Sequence, residues 1–553
     1  MRRWVLLGAA AAALCGSLVG LFATVSQKAF ALRGYTDPLT NAHLPYRIPR
    51  LGVNAELTQY QGEDLDTQLE AMRAAHVTWV RQFFPWDLIE PQPGVYAWDA
   101  WDRIVGAVSR YPDLRLVAVL VNTPAWARPP NKPEITTPPA NAEAFARFAG
   151  AVAARYSTAI DHYQVWDEPN LTAAWGGEPP RPTQYLDLLR GAYQAVHAAD
   201  PDAVVLAAAL APTVETGPAN ISDLIFLRDL YLHGARDYMD AVAAKPYGFN
   251  TSPDDRRVDP QVLNFSRLIA LREEMVRHGD AQKALWAASW GWNSLPADWT
   301  GTPSIWGAVS SDERTAFTLA ALDRSHREWP WLGGMILTHW QPAVPSDDPF
   351  WGFALVDKDG GSTPLLQALK QRSPEKAAEN GLFFAANPYA RYSGVWVFGP
   401  LGADTGWIND SSLTFDFSGS AVALLLREDN YTAYLYPLID GQQPNALPRD
   451  PAGNAYIVLT SDSRQPEINL VTVARDLSLG PHTLRVVTDD LVLEDAVNRW
   501  PIIGFAVSDG SLAVPYDRQL AVAFVSVLVS FAALGTAAVR VDWTPLRLSL
   551  IHI

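Results

Sequence analysis

From Arg50 to Leu369, short apolar runs alternate with segments whose apolar residues recur every three or four positions. These short runs predict strands at Leu51–Val53, Val77–Phe83, Leu116–Val121, His162–Trp166, Val204–Leu210, Ala241–Ala244, Ala284–Ala288 and Gly334–Leu337. Between them, Leu65/Leu69/Met72 and Phe145/Phe148/Val152/Tyr156 follow the i, i+3/i+4, i+7 spacing of one buried helix face. Eight such units within 50–375 predict an α/β architecture, a (β/α)8 TIM barrel, rather than an open doubly wound sheet. No glycine-rich phosphate loop follows any of these strands, so the nucleotide signature of the open sheet is missing.

After Asn387 the helical period fades. Short β-rich runs replace it at Gly394–Phe398, Ser412–Phe417, Ala421–Leu426, Tyr431–Leu438, Tyr456–Leu459, Ile468–Ala474 and His482–Val487, with turn signals such as Asp440-Gly441 between them. This texture predicts an all-β, jelly-roll-like sandwich over 385–510, serving either as a sugar-binding module or as a structural spacer.

Apolar runs from Trp4 to Val25 and from Leu520 to Val539 approach or exceed the ~20 residues that span a bilayer. The expected organisation is therefore a signal peptide or membrane anchor (1–31), a linker (32–49), the barrel, the sandwich and a transmembrane helix (518–540). Ala29-Phe30-Ala31 fits a leader cleavage site, which keeps the removable leader in play beside the anchor. Arginines outside both runs (Arg2, Arg3, Arg540, Arg547) place both chain ends in the cytoplasm and the body between them on the far side of a cell membrane. The closing Leu548-Ser-Leu-Ile-His-Ile553 reads as a translated sequencing adapter, and no function is assigned to it.

Composition narrows the partners. A net charge of −16 with no Lys/Arg-rich tract excludes nucleic acid, whose phosphates need a basic face. The single cysteine, Cys15, lies in the first apolar run, which rules out an internal disulfide or a Cys-based metal centre. His76, His162 and His233 lack metal-ligand spacing, so neither a metal nor any other cofactor is expected. The 21 tryptophans are numerous enough to supply flat apolar surfaces of the kind that sugar C–H faces pack against.

Barrel enzymes carry their chemistry at the C-terminal ends of strands. The fourth predicted strand ends Val165-Trp166-Asp167-Glu168-Pro169-Asn170. A carboxyl group there enters the cleft, and apolar neighbours would raise its pKa towards that of a general acid for a glycosidic oxygen. This segment resembles the Trp-Asn-Glu-Pro of the clan-A glycoside hydrolases, particularly the xylosidase-, iduronidase- and cellulase-like families. Val80-Arg81-Gln82, Ile89-Glu90-Pro91, Gly94 to Trp98, Thr123-Pro124-Ala125-Trp126, Lys245-Pro246-Tyr247-Gly248 and Phe350 to Asp357 extend the resemblance in order. It implies Glu168 as acid/base, Asp167 at the place of the residue on the sugar's 2-hydroxyl, and Arg81 as an ion-pairing cleft residue; Tyr247, Trp340, Trp126 and Trp175 are candidates either for sugar contact or for core packing.

Three departures stand out. Asp167 occupies the place of the family's Asn, and its charge would raise the Glu168 pKa further. Lys245 stands where some relatives have His. In the seventh strand, Ser289-Trp290-Gly291-Trp292 aligns with the family's Glu-Phe-Gly-Trp, so Ser289 holds the nucleophile's place and is expected to be inactive. Retention needs two carboxyl groups ~5–5.5 Å apart. Glu56, Glu215, Asp347 and Asp348 are the rim acids that a relocated, inverting chemistry would draw on. The expectation is a membrane-anchored, extracytoplasmic glycoside-hydrolase-like protein that acts on or binds poly- or oligosaccharide. The alternatives are a non-catalytic carbohydrate-binding or cell-surface protein, and an inverting glycosidase or transglycosylase with a relocated carboxylate.

Overall fold

The structure, a computed structural model, describes residues 2–373, 375–405, 411–488, 499–510 and 512–541. The suspected adapter at 548–553 lies outside the described residues. The chain forms two units, Thr36–Ser508 and the two chain ends.

Within Thr36–Ser508, eight parallel strands close in sequence order into a barrel. They are β1 (Leu51–Asn54), β2 (Trp79–Pro85), β3 (Arg115–Val121), β4 (His162–Val165), β5 (Val204–Leu210), β6 (Ala241–Ala244), β7 (Ala284–Trp290) and β8 (Leu332–Leu337). The ring closes where β1 pairs with β8, with Val53 beside both Val80 and Leu337. Helices such as Glu63–Ala74, Ala142–Tyr156 and Pro182–Ala199 wrap the outside.

The barrel interior is packed, not hollow. Trp79, Val117, Leu206, Ala241, Ala243, Trp286 and Ile336 fill it, and the Trp79 and Trp286 rings meet edge to face with centroids 5.0 Å apart. Small residues on the facing strands make room for these indoles. A Cβ built on Gly333 would lie 2.5 Å from Trp286 Nε1, and one on Gly334 would lie 2.3 Å from its six-membered ring. His162 is sandwiched against both indoles and burial holds its imidazole down to about 3, so it is a neutral packing residue.

Eleven further strands among the described residues build the sandwich. They are β9 (Gly381–Phe384), β10 (Ala390–Ser393), β11 (Trp396–Gly399), β12 (Gly402–Thr405), β13 (Ser412–Ser418), β14 (Ala421–Glu428), β15 (Tyr434–Ile439), β16 (Ile457–Val458), β17 (Glu467–Ala474), β18 (Pro481–Thr488) and β19 (Ile502–Ser508). One sheet runs β10-β13-β18-β15-β16; the other runs β11-β12-β19-β14-β17, with β9 also on β19. In β13 the alternation is plain: Leu413, Phe415 and Phe417 point inward while Thr414 and Asp416 stay half-exposed. Phe415 stacks on Phe505 of the opposite sheet, centroids 4.1 Å apart. By contrast β14 and β19 are buried on both faces, because Ala423, Leu425, Ile503 and Ala506 join the barrel's outer core.

The chain ends are two apolar helices, Arg2–Ala31 and Val514–Val539, each long and apolar enough to cross a membrane.

Candidate active site

Alternation along the strands decides what reaches the mouth of the barrel. On β2, Trp79, Arg81 and Phe83 share the inner face; on β6, Ala241 and Ala243 lead to Lys245 at the strand's end. Two irregularities then redirect side chains. After β4 the backbone enters the left-handed region at Trp166 (φ 67°) and again at Glu168 (φ 51°). The first break sends the Trp166 ring into the outer core and turns Asp167 inward. Such conformations cost about 1–3 kcal/mol each in bulky residues. Here they are pinned by Trp166 N–H donating to Leu120 O (2.9 Å) and Glu168 N–H donating to Ala209 O (3.1 Å). In β7 the register against β8 shifts between Ala287 and Trp290, which breaks the two-residue alternation and brings Ser289 to Tyr247.

The result is a closed charge network. Arg81 donates from Nε to Gln164 Oε1 (2.9 Å), from Nη1 to Asn54 Oδ1 (2.6 Å) and from Nη2 to Asp167 Oδ1 (2.7 Å). One guanidinium thus ties together β1, β2 and the end of β4. Lys245 Nζ donates to Asp167 Oδ2 (2.7 Å) and to Glu168 Oε1 (2.9 Å). Burial opposes the charge on Lys245, but the two carboxylates outweigh it and hold the ammonium above lysine's usual range. Burial alone would likewise push Asp167 up; Lys245 and Arg81 reverse that and hold it below the ordinary carboxylate range. Two cations therefore balance two carboxylates.

Beside this network, the Tyr247 hydroxyl and Ser289 Oγ are 3.1 Å apart. Burial pushes the Tyr247 phenol up to about 12, and its ring packs against Phe353 and Trp306. A serine nucleophile needs a base to take its proton. Its neighbour here is a phenol that stays neutral, and the nearby amine is already protonated.

Glu168 opens onto a cleft of ≈ 280 Å³ lined with Phe83, Pro85, Val121, Asn122, Thr136 and Ala174. That is close to the lower limit of small-molecule pockets, about 300 Å³. The half-buried Phe83 ring, 5.4 Å from the Arg81 guanidinium, lines this cleft together with the largely buried Trp166.

Several expected positions lie elsewhere. Trp340 is fully buried and its indole donates to Gln68 Oε1 at 2.8 Å, so it packs outside the barrel against helix Glu63–Ala74. The chain leaves β8 irregularly, and His339 takes the inward place instead: burial, then the charges of Lys245 and Arg81, hold its imidazole down to about 3. Trp175 is also core, edge-on to Trp166. Trp126 is half-buried, donates to Glu90 O at 2.9 Å and is not among the residues lining the Glu168 cleft. Nor are the four rim acids. Glu56 accepts from Ala343 N–H (2.8 Å) and is raised by burial; Glu215 accepts from Asn220 (2.9 Å). Asp348 caps the short helix Pro349–Phe353, and Asp347 is exposed.

Among the described residues, His326, Glu375 and Glu379 are the group whose ligand atoms gather closely enough for a metal, within 4.8 Å. They lie at the other end of the barrel. Arg47 stands 3.1 Å from Glu375 and 3.8 Å from Glu379, so a guanidinium already holds the place of a cation.

Comparison with known proteins bears on this geometry. Residues 56–141 match the family model described as beta-galactosidase. That stretch carries β2, β3 and the loops at their C-terminal ends. No curated protein matches the chain. Solved structures similar to it include a family 39 glycoside hydrolase from Bacteroides cellulosilyticus WH2 (18% identity, TM-score 0.46, 80% of this chain and 81% of that one). A monomeric beta-xylosidase from Caulobacter crescentus CB15 (14%, TM-score 0.43, 82% and 98%) and a glucosidase from Croceicoccus marinus (14%, TM-score 0.41, 82% and 96%) are others. The family match thus falls on the second and third strands of a closed eight-stranded barrel that carries an acidic pair at the end of its fourth strand and serine in its seventh.

Proposed function

We propose that the barrel cleft recognises a poly- or oligosaccharide without hydrolysing it by the retaining route, and that the chain presents this cleft on the outer side of a cell membrane. The observation that carries the reading is the bridge from Lys245 to Asp167 and Glu168 opposite a serine bonded to tyrosine. A retaining glycosidase needs one carboxyl group to donate a proton and a second to attack carbon. Here Glu168 Oε1 accepts from an ammonium, and the attacking position holds a hydroxyl without a base. What remains suits binding: carboxylate oxygens to accept from sugar hydroxyls, and Phe83 as an apolar surface.

The test uses the full-length protein in detergent with a panel of aryl glycosides and oligosaccharides, comparing wild type, Glu168→Gln and Ser289→Glu. Wild type is expected to bind at least one saccharide by calorimetry and to release no aglycone. Glu168→Gln should weaken that binding about tenfold, one charge-assisted hydrogen bond being worth ~1.5 kcal/mol or more. Ser289→Glu, which supplies the second carboxyl group, is the substitution expected to introduce turnover. Robust wild-type hydrolysis abolished by Glu168→Gln would overturn the reading.

A further inference from the structure

We infer that the helix Arg2–Ala31 is a permanent membrane span paired with Val514–Val539 as an antiparallel hairpin, and not a leader removed after Ala31. This rests on the terminal unit alone and is independent of what the barrel binds.

Three observations carry it. First, the Ala29-Phe30-Ala31 sequence lies inside the last turn of a continuous 30-residue helix. A leader's apolar stretch is about 7–15 residues, whereas this one runs from Trp4 to Val25. At 1.5 Å per residue the helix is about 45 Å long, enough for the ~30 Å hydrocarbon core and both interfaces.

Second, the two helices are zipped at both ends and in the middle. At one end Arg3 Nη1 donates to the carbonyl of Arg540 at 3.2 Å, where the second helix stops. In the middle, Ser17 Oγ and Ser530 Oγ are 2.9 Å apart. At the other end the Lys28 ammonium pairs with the Asp517 carboxylate. Pairs 3–540, 17–530 and 28–517 run in opposite directions, which is the register of a hairpin whose two spans cross the same bilayer.

Third, each helix has one half-buried side, Leu14, Ser17, Leu21, Thr24 and Lys28 on the first and Ala523, Val527, Ser530 and Leu534 on the second, while the residues between these positions are exposed. The cross-helix hydroxyl pair Ser17–Ser530 falls on these sides, as expected where polar groups bond between spans in hydrocarbon. Removing the first helix would leave Ser530 without its partner and Asp517 without its cation at the membrane surface.

The experiment expresses the full chain, tagged at both ends, in a Cys15→Ala background. One variant carries Ser17→Cys with Ser530→Cys, the other Ser17→Cys with Val529→Cys. Val529 sits one residue, ~100° of helix, away from Ser530 and is 63% exposed. Intact mass of the purified chain should retain the first tag. Mild oxidation of membranes should join the two introduced thiols of the first variant. A single protease cut in the loop between the spans then leaves one disulfide-linked species without reductant and two fragments with it. The thiols of the second variant should join at least tenfold more slowly. A mature chain beginning after Ala31 overturns the proposal. So does a retained tag with no preference for position 530 over 529.

Discussion

Lys245 holds the cleft together, and its loss should be felt in stability as much as in binding. Lys245→Met leaves Asp167 and Glu168 adjacent with only Arg81 to offset them. Breaking a buried pair costs about 3–5 kcal/mol; with Glu168 28% exposed, the lower figure of about 3 kcal/mol is expected in urea denaturation. Acid has a related effect. The folded-state pKa of Asp167 is depressed, so its contribution is complete above the unfolded value of about 4 and fades as pH falls through the folded one. The stability gap between wild type and Asp167→Asn should therefore narrow below about pH 4 and be constant from about 5 to 8. Denaturation midpoints across that range check it. The sequence placed Asp167 and Glu168 at the end of the fourth strand, and the resemblance of Val80-Arg81-Gln82 singled out Arg81; the structure brings these three side chains together around Lys245. The Lys245 bridge was not legible: the expectation of an apolar pocket around Glu168 missed it, because β6 meets the β4 end only through barrel closure. Phe83 and His339 were missed as well. For Trp340, sugar contact and core packing both stood open, because the break in alternation after β8 leaves no mark in composition; the structure buries it.

At the scale of elements, the glycines of β8 and the indole of β7 form one fitted pair. Gly333→Ala or Gly334→Ala would place a methyl group within 2.5 Å of Trp286, closer than any real contact. Overpacking of this kind costs about 1–3 kcal/mol, and Trp286→Phe should recover part of it in a double-mutant cycle followed by thermal unfolding. All eight barrel strands were readable from apolar runs, since parallel strands buried on both sides are apolar throughout. The sandwich was read less fully. β9, β10 and β12 are only four residues long, and β19, Ile502–Ser508, follows a segment with no periodic cue. In β14 the double burial against barrel and sandwich core explains why its sequence, Ala421 to Leu426, runs apolar without alternation.

For the whole molecule, the pairing of the first and last helices changes what a protease can do. If Ser17 and Ser530 meet inside the bilayer, the intervening chain is a loop tethered at both feet. A single cut anywhere between them leaves each fragment with its own span, and the spans remain bound to each other. Release of Thr36–Ser508 from the membrane would then take two cuts, one on each side of it. A population nicked once should sediment with membranes as completely as the intact chain.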